Sequence, residues 1–264
     1  NGAGKSTLMR IIAGIYTADD GSVLINDEPV YDNPAAKTHL VFVPDRMHLT
    51  GGGATIERMA NFYASCYPKF SFEKFDALLN IFKLDKKRRV RSLSKGMVRQ
   101  VQTVLALSCN ADVLLFDETF DGLDPIARNI AKRLIYRDMC DFGSTVILTS
   151  HSLRELEDTC DRFAMLYQGK IVFQNDLADA KSQLFKVQLA FARQVTPEDF
   201  KDVELLSFTK QGSIVYVLVR GEAAETSAKI EALKPLIMDM LPLSIEEVFT
   251  YELSSLGYNF DEIK

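Results

Sequence analysis

The first seven residues of the chain, NGAGKST, place a lysine between a glycine and two hydroxyl residues. The glycines let successive backbone N–H groups point inward as an anion-binding nest, and a helix that follows adds the positive end of its dipole. Apolar residues recur at helical spacing directly afterwards, at Leu8, Ile11, Ile12 and Ile15. This stretch therefore predicts a glycine loop that leads into a helix, with phosphate bound at the junction.

The composition limits the class of protein. Of 264 residues, 47% are hydrophobic and 25% are charged, the balance of a globular chain, and the formal net charge is −5. We expect no nucleic-acid partner, and we interpret the basic run at residues 83–91 as a solvated helix end or loop rather than a nucleic-acid patch. The four cysteines form no C-x-x-C pair, which argues against a zinc site or a dense disulfide framework and favours a reducing, cytoplasmic setting.

Two continuous apolar runs, DVLLFDE (residues 112–118) and STVILTSH (residues 144–151), end in polar residues and are separated by a helical pattern. Strands that are buried on both faces have this texture, which predicts an α/β fold with a parallel sheet flanked by helices. A third run of this kind, RFAMLYQGKIVF, follows the helical segment SLRELEDTC. A mostly helical stretch at about residues 56–82 predicts an inserted helical lobe, placed at about 50–110.

The pattern of apolar residues changes near residue 186. Alternating strand patterns follow, the last two joined around Gln211 and Gly212, and helical patterns are interleaved with them. We predict a small α+β domain here, with domains at 1–180 and 181–264.

The opening loop matches the end of the pattern G-x-x-x-x-G-K-[ST]. In that pattern Lys5 reaches the β- and γ-phosphates, Ser6 ligates magnesium and Thr7 adds a hydroxyl near the α-phosphate. The remaining candidate phosphate-binding residues of the loop are Asn1, Gly2, Ala3 and Gly4. Taken alone, the loop could also be a chance glycine turn.

The carboxylates after the first apolar run form a second candidate site. Asp117 stands at the carboxyl end of the predicted strand, where it can enter the shell of a magnesium ion. Glu118 can polarise a water for in-line attack on a γ-phosphate. Adjacent carboxylates are by themselves more often a solvated strand end, but the presence of Lys5 favours the catalytic interpretation.

A third element precedes a long helical pattern. In LSKGM, Ser94 is a good N-cap, and a capping role alone is the simpler interpretation. However, LSKGM ahead of the VLLFDE strand resembles the signature loop of the ATP-binding cassette (ABC) ATPases. In the same order, FDGLD, which ends at Asp124, resembles their D-loop, and His151 resembles their switch histidine.

The resemblance covers about residues 1–174 and implies a P-loop NTPase sheet core with a helical lobe, binding ATP and Mg²⁺. It implies a head-to-tail dimer, as a homodimer or heterodimer, with each ATP between the phosphate loop of one subunit and Ser94, Lys95 and Gly96 of the other. The segments around residues 42–45 and 93–97 look most like ATPase subunits of exporter-type transporters. The expected function is thus ATP hydrolysis at the cytoplasmic face of the membrane, driving transport through separate permease subunits.

The chain departs from the family pattern at several positions. Asp45 replaces the usual glutamine; it is a candidate nucleotide or magnesium contact, although its charge would oppose a γ-phosphate. Lys95 replaces a signature glycine and either adds positive charge toward the phosphate or is solvated. Met97, Thr119 and Phe120 replace the usual glutamine, proline and threonine.

Two other functions remain open on the sequence. A cassette ATPase acting on ribosomes or DNA is one, although such proteins usually carry a second cassette or a long coiled coil. A non-catalytic ATP-binding partner is the other, suggested by Asp45 and Lys95. From the position of the loop at the very start, we expect a fragment that begins within the phosphate-loop motif and lacks a central strand.

Overall fold

The computed structural model describes residues 2–45, 53–176, 184–241 and 243–255. The chain divides into two compact units, Asn1–His151 and Ser152–Lys264. Each unit has its own sheet and its own buried apolar clusters.

The first unit alternates strands and helices along the chain. Its helices are α1 (Lys5–Ile12), α2 (Pro34–Lys37), α3 (Ile56–Cys66), α4 (Phe72–Phe82), α5 (Lys95–Ser108) and α6 (Pro125–Phe142), with a 3₁₀ turn at Val90–Ser92. Its strands are β1 (Leu24–Ile25), β2 (Glu28–Pro29), β3 (Leu40–Val43), β4 (Val113–Asp117) and β5 (Thr145–Thr149).

The parallel sheet has the order β3–β4–β5, with Leu40 opposite Val113 and Val113 opposite Thr145. Side chains alternate between its two faces. Leu115 packs with Met9 of α1 on one face, whereas Leu114 and Phe116 pack on the other face with α5 and α6. The predicted α/β sheet with helices on both faces is confirmed.

Helix α5 lies at the centre of the larger core. Its side chains are buried from Val101 to Leu107, and Ser94 caps its N-terminus by accepting a hydrogen bond from the Met97 N–H at 3.3 Å. Helices α3 and α4 pack in the same core through Tyr63, Leu78 and other apolar side chains, forming the predicted helical lobe.

A polar cluster lies at the amino edge of the sheet, where β3 and β4 begin. Asp112 accepts hydrogen bonds from Asn26 at 3.2 Å and Lys69 at 3.1 Å, and its Oδ2 lies 2.6 Å from His39 Nδ1. Partial burial opposes ionisation of Asp112, but the hydrogen bonds from His39, Lys69 and Asn26 outweigh it, so the pKa of Asp112 is lowered.

The second unit is built on an antiparallel sheet in the order β11–β8–β10–β9. Its strands are β6 (Arg162–Tyr167), β7 (Lys170–Asp176), β8 (Leu184–Ala190), β9 (Glu204–Gln211), β10 (Ile214–Arg220) and β11 (Ile237–Leu241). Its helices are α7 (Leu153–Glu157), α8 (Ala223–Glu231) and α9 (Ile245–Ser255), with a 3₁₀ turn at Pro197–Phe200. Inward side chains of β8 and β10 pack with Ile230 of α8, forming one of its cores.

The segment RFAMLYQGKIVF is not a third strand of the parallel type, and that prediction is wrong. It forms an antiparallel hairpin, β6 and β7, which turns at Gln168 and Gly169 with φ of 47° and 77°. Two consecutive residues with positive φ suit a tight hairpin. Phe163 packs against Phe249 with ring centroids 4.9 Å apart, so the hairpin belongs to the second unit, whereas the predicted domain boundary at residue 180 follows it.

Within the described ranges, every helix is too short or too polar to cross a bilayer.

Candidate active site

A cavity of about 630 Å³ opens at the carboxyl edge of the parallel sheet. Three segments that leave this edge contribute to it: the residues after β3, β4 and β5. Its described lining residues are Gly2, Ala3, Gly4, Lys5, Ser6, Thr7, Asp45, Glu118, Asp121 and His151. Ligands of open α/β sheets bind at this edge, so the cavity is the candidate active site.

The phosphate loop ends at Gly4, which is the N-cap of α1 and has φ of 102°. This left-handed conformation favours glycine, and glycine offers no side chain to cap the helix. The first-turn N–H groups of Lys5, Ser6 and Thr7 are therefore left for an anion in the cavity that these residues line. Asn1 lies outside the described residues.

Glu118 faces two basic side chains across the cavity. Its Oε1 lies 3.5 Å from Lys5 Nζ, and its Oε2 lies 2.8 Å from His151 Nδ1. The Nε2 of His151 is 3.8 Å from Asp121 Oδ1. Lys5 and His151 thus approach one carboxylate from the ends of two different elements.

The backbone at Glu118 is strained. Its φ is 51°, a conformation uncommon for residues other than glycine, which costs about 1–3 kcal/mol. The strain is held by hydrogen bonds from the Glu118 N–H to the carbonyl oxygen and the hydroxyl of Thr149, at 3.2 and 3.1 Å. This turn directs the Glu118 side chain into the cavity immediately after a buried strand.

Asp117 is completely buried at the end of β4. Its Oδ1 accepts a 2.6 Å hydrogen bond from the Thr149 hydroxyl, while its Oδ2 has no hydrogen-bond partner among the described residues. Such an oxygen is costly unless a cation or water satisfies it. Thr149 therefore holds both carboxylate positions, because it contacts the side chain of Asp117 and the backbone of Glu118.

Asp45 lines the cavity after β3 and pairs with an arginine that sequence reasoning missed. Arg99 of α5 donates to Asp45 Oδ1 at 2.6 Å and to the Pro44 carbonyl at 3.0 Å, and its side chain is only 2% exposed. The sequence did carry a signal. Arg99 lies three and four residues before Gln102 and Thr103, on a stripe that the helical period places in the core.

The LSKGM segment (residues 93–97), called the signature turn from here on, is absent from the described lining of the cavity. Ser94 caps α5, and a Cβ added at Gly96 would lie 2.9 Å from the Gly122 carbonyl oxygen. The alkyl chain of Lys95 lies over Gly122, and Asp124 caps α6 by accepting from the N–H groups at positions 126 and 127. Ser94, Lys95, Gly96 and Asp124 are thus absent from the described lining of this cavity.

The structure brings together the predicted residues of the loop and the residues that follow the three strands. Sequence reasoning missed Asp121 and Thr149 in addition to Arg99. Asp121 lies in the segment predicted as the D-loop, whereas a threonine inside an apolar strand carries no distinctive sequence signal.

Comparison with known proteins shows what this chain is similar to. Residues 1–121 match the family model for the ABC transporter. The ABC transporter ATP-binding protein YtrB of Bacillus subtilis is 26% identical over 249 residues, which cover 94% of this chain and 85% of that protein. The Nod factor export ATP-binding protein I of Bradyrhizobium diazoefficiens is 33% identical over 64% of this chain, and the match spans only 56% of that relative.

A solved structure described as the ATP-binding subunit of an ABC transporter has the same fold. It superposes with a TM-score of 0.63 at 26% identity, covering 69% of this chain and 77% of the other. The family match over residues 1–121, the relatives and the shared fold show that this chain is similar to the ATP-binding subunits of ABC transporters.

Proposed function

We propose that the chain binds and hydrolyses ATP in the cavity at the carboxyl edge of the parallel sheet, with Glu118 as the general base. The observation that carries this proposal is the 3.5 Å separation of Lys5 Nζ and Glu118 Oε1 beside the phosphate loop. The phosphate loop and the candidate base Glu118 thus line one cavity, which is large enough for a ligand.

Each group of residues in the cavity has its own proposed role in ATP hydrolysis. The first-turn N–H groups of α1 and the ammonium of Lys5 hold phosphate oxygens and neutralise charge. Glu118 accepts the proton of the attacking water, and its strained backbone keeps the carboxylate directed into the cavity. His151, at 2.8 Å from Glu118, orients that carboxylate.

The residues present fit a magnesium ion. Asp117 Oδ2 is buried without a described partner, and Ser6 lines the cavity; we assign the ion to these two residues. Asp45 is paired with Arg99 and is assigned no part in holding the ion. Mg²⁺ takes oxygen ligands and usually keeps several waters alongside one or two protein ligands and substrate phosphates. Bound there, the ion would neutralise charge on the triphosphate.

We further propose a head-to-tail dimer in an exporter-type transporter, on the cytoplasmic face of the membrane with separate permease subunits. Ser94, Lys95 and Gly96 point to the dimer, because this turn resembles a nucleotide contact yet is absent from the described lining of the chain's own cavity. The N-terminus of α5 then serves the ATP of the second copy. The export function in the name of the Nod factor relative supports the transporter type.

The test of this function is Glu118→Gln, which keeps the size of the side chain but removes the base. We expect the steady-state rate of ATP hydrolysis to fall about 10²- to 10⁴-fold with ATP affinity retained. The matched control is Glu231→Gln, at the end of α8 in the other unit, which should leave the rate unchanged. Unchanged turnover in Glu118→Gln would exclude Glu118 as the base.

A further inference from the structure

Arg99 joins the cavity to the helix that begins at the signature turn. Its guanidinium donates to the carbonyl oxygen of Pro44, to Asp45 and, at 3.4 Å, to Gln102 of its own helix. Pro44 and Asp45 follow directly on β3, and Asp45 lines the cavity. The buried arginine thus fixes the end of β3 to α5.

The charges of this pair bear on ATP. A carboxylate that lines a triphosphate site repels the ligand, and Asp45 lines the cavity with 40% of its side chain exposed. Arg99 places a positive charge 2.6 Å from that carboxylate. It is held there by packing, since its side chain is 2% exposed.

The same helix also contacts the segment that follows Glu118. Lys95 lies over Gly122, which is next to Asp121, a lining residue. Arg99 is one helical turn after Lys95. A movement of α5 relative to the sheet would therefore change the positions of Asp45 and of the Asp121–Gly122 segment together.

We propose that Arg99 is a positioning residue for ATP: it compensates the charge of Asp45 in the cavity and connects that carboxylate to α5. This rests on the proposed function, because it assumes that ATP occupies the cavity. It explains how an aspartate is compatible with a triphosphate at this position. Neither residue needs to take part in the proton transfer.

The experiment measures ATP affinity by calorimetry, with every variant built on Glu118→Gln so that hydrolysis does not consume the ligand. Arg99→Gln should raise the Kd for ATP about tenfold, the size expected for one uncompensated charge roughly 10 Å from another at an effective dielectric constant of about 20. Adding Asp45→Asn to Arg99→Gln should return the Kd to within about threefold of the parent. Arg99→Lys, which keeps the charge, should have a Kd between that of the parent and that of Arg99→Gln.

Arg137→Gln is the matched control, since Arg137 is 76% exposed on α6 and pairs with Asp141. It should leave the Kd unchanged. Urea unfolding of each variant reports its folded fraction, to which the Kd is corrected. A role in stability alone would shift the unfolding midpoint without the rise in Kd and its reversal by Asp45→Asn.

Two results overturn the proposal: an unchanged Kd in Arg99→Gln, or a raised Kd that Asp45→Asn does not reverse. Failure of the proposed function looks different. If Glu118 is not the base, Glu118→Gln turns over like the wild type, and the Kd is then measured with a non-hydrolysable ATP analogue, for which the same rise and reversal still support the role of Arg99.

Discussion

Thr149→Val isolates the hydroxyl that supports both carboxylates of the site. Valine has nearly the shape of threonine, so the substitution removes a 2.6 Å hydrogen bond to Asp117 while the packing is kept. Asp117 is fully buried and its Oδ2 has no described partner, so both its oxygens would then be unsatisfied by the described residues. The Glu118 N–H keeps the Thr149 carbonyl at 3.2 Å, so that group adds little to the loss.

A hydrogen bond to a charged group contributes about 1.5–3 kcal/mol, and we expect Thr149→Val to lower the free energy of unfolding by about 2–3 kcal/mol. Thr149→Ser keeps the hydroxyl and removes one methyl group, which costs about 1 kcal/mol. Equilibrium urea unfolding at pH 7 separates the two variants through their midpoints at equal slope. If Thr149→Val is as stable as Thr149→Ser, the hydroxyl does not hold Asp117 and the description of this turn is wrong.

Two further predictions concern other parts of the first unit. Gly96→Ala places a Cβ 2.9 Å from the Gly122 carbonyl oxygen, so it should lower the urea midpoint and shift the signature turn. The control is Gly53→Ala, because a Cβ added at Gly53 meets nothing within 4 Å. Equal midpoints for the two variants would refute the close approach of Gly96 and Gly122. Asp112 has a lowered pKa when folded, so its ionised form stabilises the protein above the ordinary carboxyl pKa of about 4 and that contribution is lost as the pH falls through the folded pKa. Asp112→Asn should therefore be less stable than the wild type at pH 7, with a difference that closes below about pH 4, and a difference independent of pH would contradict this.

Local pattern was enough to predict the layers of the first unit. The run around Leu114 is continuous because both faces of β4 are covered by other elements, whereas on β5 Ile147 is exposed. Ser94 was identified as an N-cap because capping depends on residues next to one another in the chain. The glycine loop could be predicted for the same reason, because its residues are consecutive in the chain.

The hairpin β6–β7 was mispredicted although its signal was present. Gln168 and Gly169 interrupt an apolar run with a two-residue turn, and a reading based on hydrophobicity alone passes over such a turn. Strand direction depends on that turn rather than on the apolar residues.

The contact between Arg99 and Asp45 could not be predicted in this way. The two residues are 54 positions apart, and they meet only because β3 ends against the first turns of α5. Helical period places Arg99 on the buried side, but it does not identify the carboxylate that the guanidinium meets. The support of Thr149 for Asp117 is likewise set by the register of β4 and β5.

The most direct test of the proposed site is a crystal structure of the protein with a non-hydrolysable ATP analogue and Mg²⁺. We expect the γ-phosphate within hydrogen-bonding distance of Lys5 Nζ, with the Glu118 carboxylate facing it and the Asp45–Arg99 pair intact. A triphosphate bound elsewhere on the chain, or bound here with Glu118 turned away from it, would show that this cavity is not the site of hydrolysis.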